Sequence, residues 1–326
     1  MSPMLRSLLF VPGDSERKQA KALASPADAL ILDLEDSVAE AQLPAARARV
    51  RELLISRGSG MASGSGGASG CGGASGSGGA SGSGGSGASV RPRLWVRVHS
   101  LASGLFLEDL VAVFPGAPAG LVLPKVSAAA EIIQVDRELA ALEARDGRGV
   151  GSTQLIVIAT ETPQAVLNLP AFAGALSAQP SAAARVAALT WGAEDLSAAI
   201  GATGKHQSSG ALTFTFQLAR SLCQLAAAAL NVQAIDGVYV NFRDSRGLER
   251  EAAEARRDGF TGKLAIHPDQ IAPINQAFTP TESELARARR IVAAFSASPQ
   301  AGVLNLDGEM IDRPHLLQAR RLLELT

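Results

Sequence analysis

The sequence predicts a (β/α)₈ barrel followed by a helical tail. Short apolar runs alternate with amphipathic or alanine-rich segments through most of the 326-residue chain. Strand–helix alternation repeated eight times is typical of a closed barrel of parallel strands. Charged residues follow most of the apolar runs, as expected where the carboxyl ends of the strands form a ligand-binding rim. A doubly wound open sheet is the alternative that this pattern leaves open.

The element boundaries follow from the apolar runs and the turn residues between them. We predict strands at residues 6–11, 29–33, 93–98, 120–124, 155–160, 186–191, 236–240 and 263–266. The predicted helices are residues 14–24, 39–55, 104–114, 127–144, 162–176, 211–230, 248–259 and 268–277. Asp14 suits an N-cap after the first strand, and Pro268 suits the first turn of a helix.

Two segments are predicted to lie outside the regular barrel. Residues 58–89 are almost wholly Gly, Ser and Ala, and we expect a flexible insertion because they offer little apolar surface to offset their ordering entropy. No Lys-Ser/Thr follows, so the segment lacks the pattern of a phosphate-binding loop. We assign residues 1–280 to the barrel and residues 281–326 to a C-terminal helical extension.

Composition excludes several function classes. The net charge of −1 gives no electrostatic argument for nucleic acid or for an anionic membrane. No apolar run approaches the roughly 18 residues that span a bilayer, and residues 1–6 lack the apolar segment of a signal peptide. Cys71 and Cys223 form no disulfide or zinc pattern, so we expect a reducing cytoplasm.

Two acidic residues follow neighbouring predicted strands. Glu161 comes directly after residues 155–160, and Asp195 comes four residues after residues 186–191. The carboxyl ends of parallel strands meet at one edge, where ligands bind. Two carboxylates there suit a hard cation such as Mg²⁺, so we predict a metal site formed by Glu161 and an acidic residue of the Glu194-Asp195 pair. A structural ion pair with a nearby Arg or Lys is the alternative.

Other charged residues at strand ends complete a mixed rim. They are Asp33, Glu35 and Asp36 after the second strand, Arg97 on the third and Lys125 after the fourth. Buried charge is costly unless it is paired or bound to a ligand. We therefore expect a small anionic substrate held by a metal and cations together. A buried salt bridge is the alternative for Arg97, and a rim salt bridge is the alternative for Lys125.

Six segments of the chain resemble the HpcH/HpaI aldolase–citrate lyase superfamily, and within it the citrate lyase beta subunit and its stand-alone relatives. The segments are residues 6–13 (RSLLFVPG), 28–36 (DALILDLED), 123–125 (LPK), 191–196 (WGAEDL), 259–268 (GFTGKLAIHP) and 307–312 (DGEMID). They occur in the family's order and span nearly the whole chain. Together they are specific, although each alone is a weak signal.

The resemblance implies a barrel that acts on CoA-type thioesters with Mg²⁺ held by Glu161 and Asp195. Arg97 matches the family arginine on the third strand, where a guanidinium can grip a carboxylate or an enolate oxygen. We carry Glu35 and Asp36 as further catalytic candidates. Asp33 and Lys125 join Arg97 as candidates for substrate binding.

One residue of the tail and one departure from the family pattern also stand out. The resemblance implies that Asp312 reaches a neighbouring subunit's site and moves a proton; the alternative is an N-cap of the last helix. His99 stands where the family often has Asn, a difference that bears on substrate preference. We expect structural roles for His267 and His206.

The predicted reaction is cleavage of a malyl-, citramalyl- or citryl-type thioester to a 2-oxo acid and an acyl thioester. The alternatives are a citrate lyase beta subunit that acts on a citryl group on an acyl-carrier protein, and a thioesterase on the same scaffold. A non-catalytic thioester-binding barrel is the rival from another class. The tail and the resemblance imply a homo-oligomer, for which we expect a trimer.

Overall fold

A computed structural model describes residues 4–58 and 91–324, and in this part of the chain eight parallel strands close into a barrel. The strands follow one another in sequence order, and the first pairs with the last. They are β1 (Ser7–Pro12), β2 (Ala29–Asp33), β3 (Arg93–Arg97), β4 (Gly120–Leu123), β5 (Gln154–Ile158), β6 (Val186–Thr190), β7 (Gln233–Asp236) and β8 (Gly262–Ala265). The barrel prediction is confirmed, and the open-sheet alternative is excluded by the closure.

Helices surround the barrel and continue into the tail. They are α1 (Glu16–Leu23), α2 (Leu43–Gly58), α3 (Phe106–Val113), α4 (Ala129–Arg145), α5 (Pro163–Ser177), α6 (Pro180–Arg185), α7 (Ala193–Ile200), α8 (Phe214–Leu230), α9 (Ser245–Arg257), α10 (Ile271–Phe278), α11 (Glu282–Ala297) and α12 (Arg313–Glu324). Short α6 and α7 were not predicted as separate elements.

No described helix is both long and apolar enough to cross a membrane. The predicted insertion at residues 58–89, with Cys71, lies outside the described residues except for residue 58.

Alternate residues of each strand point to opposite sides, so the barrel has two apolar layers. One layer fills the interior and includes Leu8, Ile31, Trp95, Val122, Ile156, Ala188, Ile235 and Leu264. The other packs the strands against the helices and includes Leu9, Leu30, Val96, Leu121, Val157 and Leu189. Trp95 needs Gly120 beside it, because a Cβ on Gly120 would lie 2.3 Å from the indole ring.

A buried ion cluster lies at the amino-terminal ends of β5 and β6. Arg185 donates to Asp136 Oδ1 at 2.5 Å and to both carboxylate oxygens of Glu143 at 2.8 and 2.9 Å. Glu143 also accepts the backbone N–H of Thr153 at 2.7 Å. Burial alone would raise the pKa of Glu143, but these donors lower it to about 2. The cluster is at the end of the barrel opposite the carboxyl ends of the strands.

The seventh strand lies earlier than predicted, at Gln233–Asp236 and not at residues 236–240. Asp236 pairs with Lys263 in the ladder, and Gly237 follows it. The carbonyl oxygen of Gly237 accepts from Lys263 Nζ, and that of Tyr239 accepts from the Gln270 side chain. Side chains therefore occupy carbonyls that a longer strand would use, and the strand ends at Asp236.

The tail contains a β-hairpin that the predicted helical extension did not include. β9 (Val303–Leu306) and β10 (Glu309–Asp312) pair in antiparallel fashion between α11 and α12. The turn uses Asp307 and Gly308, both with positive φ. The tail has its own apolar cluster, which includes Ala288, Ile291, Phe295, Ile311, Leu316 and Ala319.

Candidate active site

A cavity of about 830 Å³ opens at the carboxyl ends of the barrel strands. Its lining combines apolar side chains with most of the charged residues that were predicted at the rim. The charged residues that line it are Asp33, Asp36, Arg97, Glu161, Glu194 and Asp195, together with Arg17, Lys18 and Lys21 of α1. This position is the usual active-site location in a (β/α)₈ barrel.

Glu161 lies three residues beyond the end of β5 and is only 3% exposed. Its Oε2 accepts the backbone N–H of Lys125 at 2.5 Å. Lys125 has a φ of 55°, the left-handed conformation that a non-glycine residue seldom adopts. Burial, then the nearby charge of Asp195, raises the pKa of Glu161 to about 8. The turn after β4 therefore places a backbone donor on an otherwise costly buried carboxylate.

Asp195 is in the first turn of α7, on the segment that follows β6. Its Oδ1 lies 3.4 Å from Lys125 Nζ. The same segment contains Gly192, which packs directly against Glu161: a Cβ at this position would lie 2.5 Å from Glu161 Cγ. The close approach of Gly192 brings the segment that bears Asp195 against Glu161, as the two strand-end motifs predicted.

Arg97, at the end of β3, is 8% exposed and is held by carboxylates of the β2 side. It pairs with Asp33 across the parallel ladder and donates to both of its oxygens, Nε to Oδ1 and Nη2 to Oδ2, each at 2.7 Å. Its Nη1 lies 3.1 Å from Glu35 and 3.3 Å from Asp36. Burial raises the pKa of Asp33, but the guanidinium outweighs this and the pKa falls below its usual range.

Lys125 connects this group to the metal candidates. Its Nζ donates to Glu35 Oε1 at 2.5 Å and lies 3.4 Å from both Asp36 and Asp195. Burial raises the pKa of the Glu35 carboxyl, although the nearby cations oppose this effect. The salt bridges predicted as alternatives for Arg97 and Lys125 are therefore present. Glu35 and Lys125 do not line the cavity themselves, and they contact Arg97, Asp36 and Asp195, which do.

The donor set fits a hard divalent cation. The connected group contains five carboxylates, Asp33, Glu35, Asp36, Glu161 and Asp195, but two cations, Arg97 and Lys125. Within the described residues, no three His, Cys, Asp or Glu side chains form a complete metal cage. Mg²⁺ commonly uses one or two carboxylates and keeps water or substrate oxygens as its other ligands. Glu161 and Asp195 suit that mode of binding.

The predicted tail aspartate is not brought to this cavity within one chain. Asp312, at the end of β10, lies 2.5 Å from His315 Nδ1 and also accepts the backbone N–H of His315 at 3.4 Å. These contacts match the N-cap alternative, and they lower the pKa of Asp312. A role for Asp312 at another subunit's site stays a prediction.

The three histidines singled out in the sequence all have local partners. His99 Nδ1 lies 2.7 Å from Asp109, which also accepts the His99 backbone N–H. His206 forms an isolated β-bridge with Leu212. His267 lines the cavity, stacks on Phe242 at a ring distance of 4.9 Å and accepts the N–H of Asp269.

Two features were not predicted from the sequence, the cationic stripe on α1 and the buried group beneath Trp191. Arg17, Lys18 and Lys21 are exposed residues that line the cavity. Their spacing on the helix after the first strand was the available signal, since residues three and four apart share a helix face. Asp236 was missed as a strand end because the seventh strand was placed too late.

Comparison with known proteins agrees with the geometry. Residues 6–57 and 88–268 match the family model of HpcH/HpaI aldolase/citrate lyase. The chain is 33% identical to the citramalyl-CoA lyase, mitochondrial, of Rattus norvegicus over 98% of its own length and 85% of the relative. It is 31% identical to the citrate lyase subunit beta of Escherichia coli, covering 98% and 92% of the two chains.

A solved structure extends the comparison to three dimensions. The CitE protein of Mycobacterium tuberculosis, in complex with magnesium, acetoacetate and coenzyme A, matches with a TM-score of 0.70 and 29% identity. The match covers 99% of this chain and 98% of that chain. With the barrel, the strand-end carboxylates and the family model in agreement, the chain belongs to the HpcH/HpaI aldolase/citrate lyase family.

Proposed function

We propose that this chain is a Mg²⁺-dependent carbon–carbon lyase that cleaves a 3-hydroxy-acyl-CoA thioester to a 2-oxo acid and an acyl-CoA. The observation that carries the proposal is one connected group of charged residues. Glu161, Asp195 and Arg97 line the cavity, and Lys125 beside them contacts Glu161 through its backbone N–H and Asp195 through Nζ. The names of the rat and mycobacterial relatives support a CoA thioester and magnesium. Citramalyl-CoA is the substrate we place first, with malyl- and citryl-CoA as the other members of the class.

Glu161 and Asp195 would hold the metal, because they supply two carboxylates at adjacent strand ends. Bound Mg²⁺ would act as a Lewis acid toward the substrate carboxylate and hydroxyl. The protein itself contributes the orientation of both ligands. Lys125 positions Glu161 through its backbone N–H at 2.5 Å and lies beside Asp195 through its ammonium group.

Arg97 would bind anionic substrate oxygen. Its bidentate pair with Asp33 fixes the guanidinium plane, and one N–H of Nη2 is left over from that pair. A fixed guanidinium favours charge that develops on oxygen without reorganising during the reaction. Glu35 and Asp36 flank it and remain the candidates to accept the hydroxyl proton as the carbon–carbon bond breaks.

The electrons of the broken bond would pass to the thioester as an enolate, which then needs a proton. Asp312 is the candidate donor, supplied by a neighbouring subunit, because within one chain it is bound to His315 and does not line the cavity. The exposed apolar residues of the tail, Val303, Met310 and Leu317, support an interface there. A homotrimer is the assembly we propose.

The stripe of Arg17, Lys18 and Lys21 would bind the phosphate groups of CoA. These side chains are exposed, they line the cavity, and each offers charged donors suited to phosphate. A thioester whose acyl end lies at Glu161 and Asp195 would then extend along the cavity toward α1. A small free 2-oxo acid has no phosphate groups and would make no use of these cations.

The reaction is tested with the purified chain and citramalyl-, malyl- and citryl-CoA in the presence of Mg²⁺, with EDTA as control. We expect metal-dependent release of pyruvate, glyoxylate or oxaloacetate from one substrate, and loss of that release in Glu161→Gln. Free CoA released together with the intact hydroxy acid would replace the lyase with a thioesterase. Release that EDTA leaves unchanged would overturn the metal role.

The shared site is tested by mixing two inactive variants, Glu161→Gln and Asp312→Asn. If one subunit supplies Asp312 to the next, random assembly of a closed ring restores about one site in four. No regained activity after subunit exchange would place the function of Asp312, if any, within its own chain.

A second candidate is a citrate lyase beta subunit that acts on a citryl group on an acyl-carrier protein. The similarity to the Escherichia coli subunit over nearly the full length of both chains favours it. Activity on a carrier-bound citryl group, with none on the three CoA thioesters, would select this candidate.

The cytoplasm stays the expected compartment, although the rat relative is named mitochondrial.

A further inference from the structure

A buried charged network lies behind the segment that bears Asp195. Lys263 on β8 is fully buried, and its Nζ donates to Asp236 Oδ2 at 2.7 Å, to Glu251 at 2.7 Å and to the Gly237 carbonyl at 2.8 Å. Asp236, at the end of β7, is 1% exposed. Its Oδ1 also accepts from Arg220 Nε at 2.9 Å. Each buried charge therefore has a partner, as its desolvation requires.

The network reaches the cavity through one side chain. Trp191 Nε1 donates to Asp236 Oδ1 at 2.8 Å, and Trp191 lines the cavity. The end of β7 also packs closely on this residue: a Cβ on Gly237 would lie 3.2 Å from Trp191 Nε1 and 3.2 Å from its carbonyl oxygen. The position of the indole is thus fixed by a charged hydrogen bond and by backbone contact.

The position of Trp191 bears directly on both metal candidates. Gly192 is the next residue, and it packs against Glu161 so closely that a Cβ would lie 2.5 Å from Glu161 Cγ. The N–H of Gly192 lies 3.2 Å from Thr160 Oγ1, next to Glu161 in sequence. Asp195 follows within the first turn of α7. A shift of Trp191 would therefore move the contact with Glu161 and the start of the helix that bears Asp195.

We propose that Asp236, held by Lys263 and Arg220, is a positioning residue that acts through Trp191 to set the spacing between Glu161 and Asp195. The inference rests on the metal site of the proposed function. A full charge is useful here because a charge-assisted hydrogen bond is stronger and shorter than a neutral one. Removal of a partner that orients a metal ligand typically costs 10–100-fold in metal affinity.

The test is Mg²⁺ affinity measured by calorimetry on the full chain, which needs no turnover. We expect the dissociation constant to rise about 10-fold in Asp236→Asn and in Trp191→Phe, the lower end of the range because the effect passes through one intermediate residue. Trp191→Phe keeps most of the apolar ring and loses the N–H donor. If Asp236→Asn does not fold, Trp191→Phe alone tests the proposal.

A spectroscopic measurement follows the indole itself. The chain has two tryptophans, so a Trp95→Phe background leaves Trp191 as the only tryptophan, and excitation at the red edge of the indole band avoids the tyrosine. We expect the emission of Trp191 to change when Mg²⁺ binds. In Asp236→Asn, we expect the metal-free emission to differ from that of the parent and to respond less to Mg²⁺. Unchanged emission in both measurements would contradict a link between the network and the site.

The matched control is Asp136→Asn, which breaks a comparable buried pair with Arg185 at the opposite end of the barrel. It should lower stability and leave Mg²⁺ affinity unchanged. The inference is overturned if folded Trp191→Phe binds Mg²⁺ as the parent does. A parent chain that binds Mg²⁺ but cleaves no thioester overturns only the proposed reaction, whereas one that binds no Mg²⁺ overturns the metal site and this inference together.

Discussion

Replacement of Gly192 by alanine isolates the contact between the two motifs that form the site. The added Cβ would lie 2.5 Å from Glu161 Cγ and 3.1 Å from Glu161 Oε1, whereas ordinary contacts are 3.4–4 Å. The backbone at Gly192 has φ −117°, which alanine adopts without strain. The effect of the substitution is therefore steric and is directed at Glu161.

The size of the effect follows from that overlap. Relief of the contact requires a displacement of about 1 Å, and a displacement of this size at a reacting centre can cost about 100-fold in rate. Overpacking a well-packed contact typically costs about 1–3 kcal/mol of unfolding free energy. We therefore expect Gly192→Ala to remain folded, to bind Mg²⁺ more weakly and to lose about 100-fold in kcat/KM.

The assay compares lyase rate, Mg²⁺ affinity and urea unfolding with those of Gly204→Ala. Gly204 lies after the same helix and has no positive φ, and a Cβ added there would meet no heavy atom of the described residues within 4 Å. This control variant should therefore behave as the parent. Parental Mg²⁺ affinity and rate in folded Gly192→Ala would refute the reasoning, because they would mean that the distance between Gly192 and Glu161 does not matter to the site.

Three further predictions concern charge. Arg97→Ala should lower the free energy of unfolding by about 3–5 kcal/mol, since it leaves buried Asp33 without its bidentate partner; Arg97→Lys should cost less, as chemical denaturation would measure. The pKa of Glu143 is about 2 in the folded chain, below its usual value, so its stabilisation is full above the usual value and is lost as the pH falls from about 5 toward 2. Glu143→Gln should flatten the acid-unfolding curve in that window, and an unchanged curve would contradict the assignment. Lys18→Ala and Lys21→Ala should each raise KM for a CoA thioester by about fivefold, or about 1 kcal/mol, and weaken its salt dependence, with kcat unchanged; an unchanged KM would remove the α1 stripe from thioester binding.

Periodicity was sufficient for the barrel because apolar strands that are covered on both sides need near-continuous apolar runs. The eight runs correspond to β1 to β8, and the acidic residues after β5 and β6 lie together because parallel strands end at one edge. The seventh run was misplaced because residues 238–240 are apolar and β-branched or aromatic, like a strand. The side chains of Lys263 and Gln270 donate hydrogen bonds to backbone carbonyls in this segment. No local sequence pattern indicates that these side chains replace the hydrogen bonds of a neighbouring strand.

The sequence by itself determined the architecture, and it predicted a candidate site at the carboxyl ends of the strands that includes Glu161, Asp195, Arg97 and Lys125. These features depend on local patterns, which are visible in the sequence. Only the tertiary structure decided that Arg97 is locked to Asp33, that Lys125 donates through its backbone to Glu161, and that Asp236 supports Trp191. Such contacts join residues far apart in sequence, and their energies depend on distance and burial, which arise only when the barrel closes.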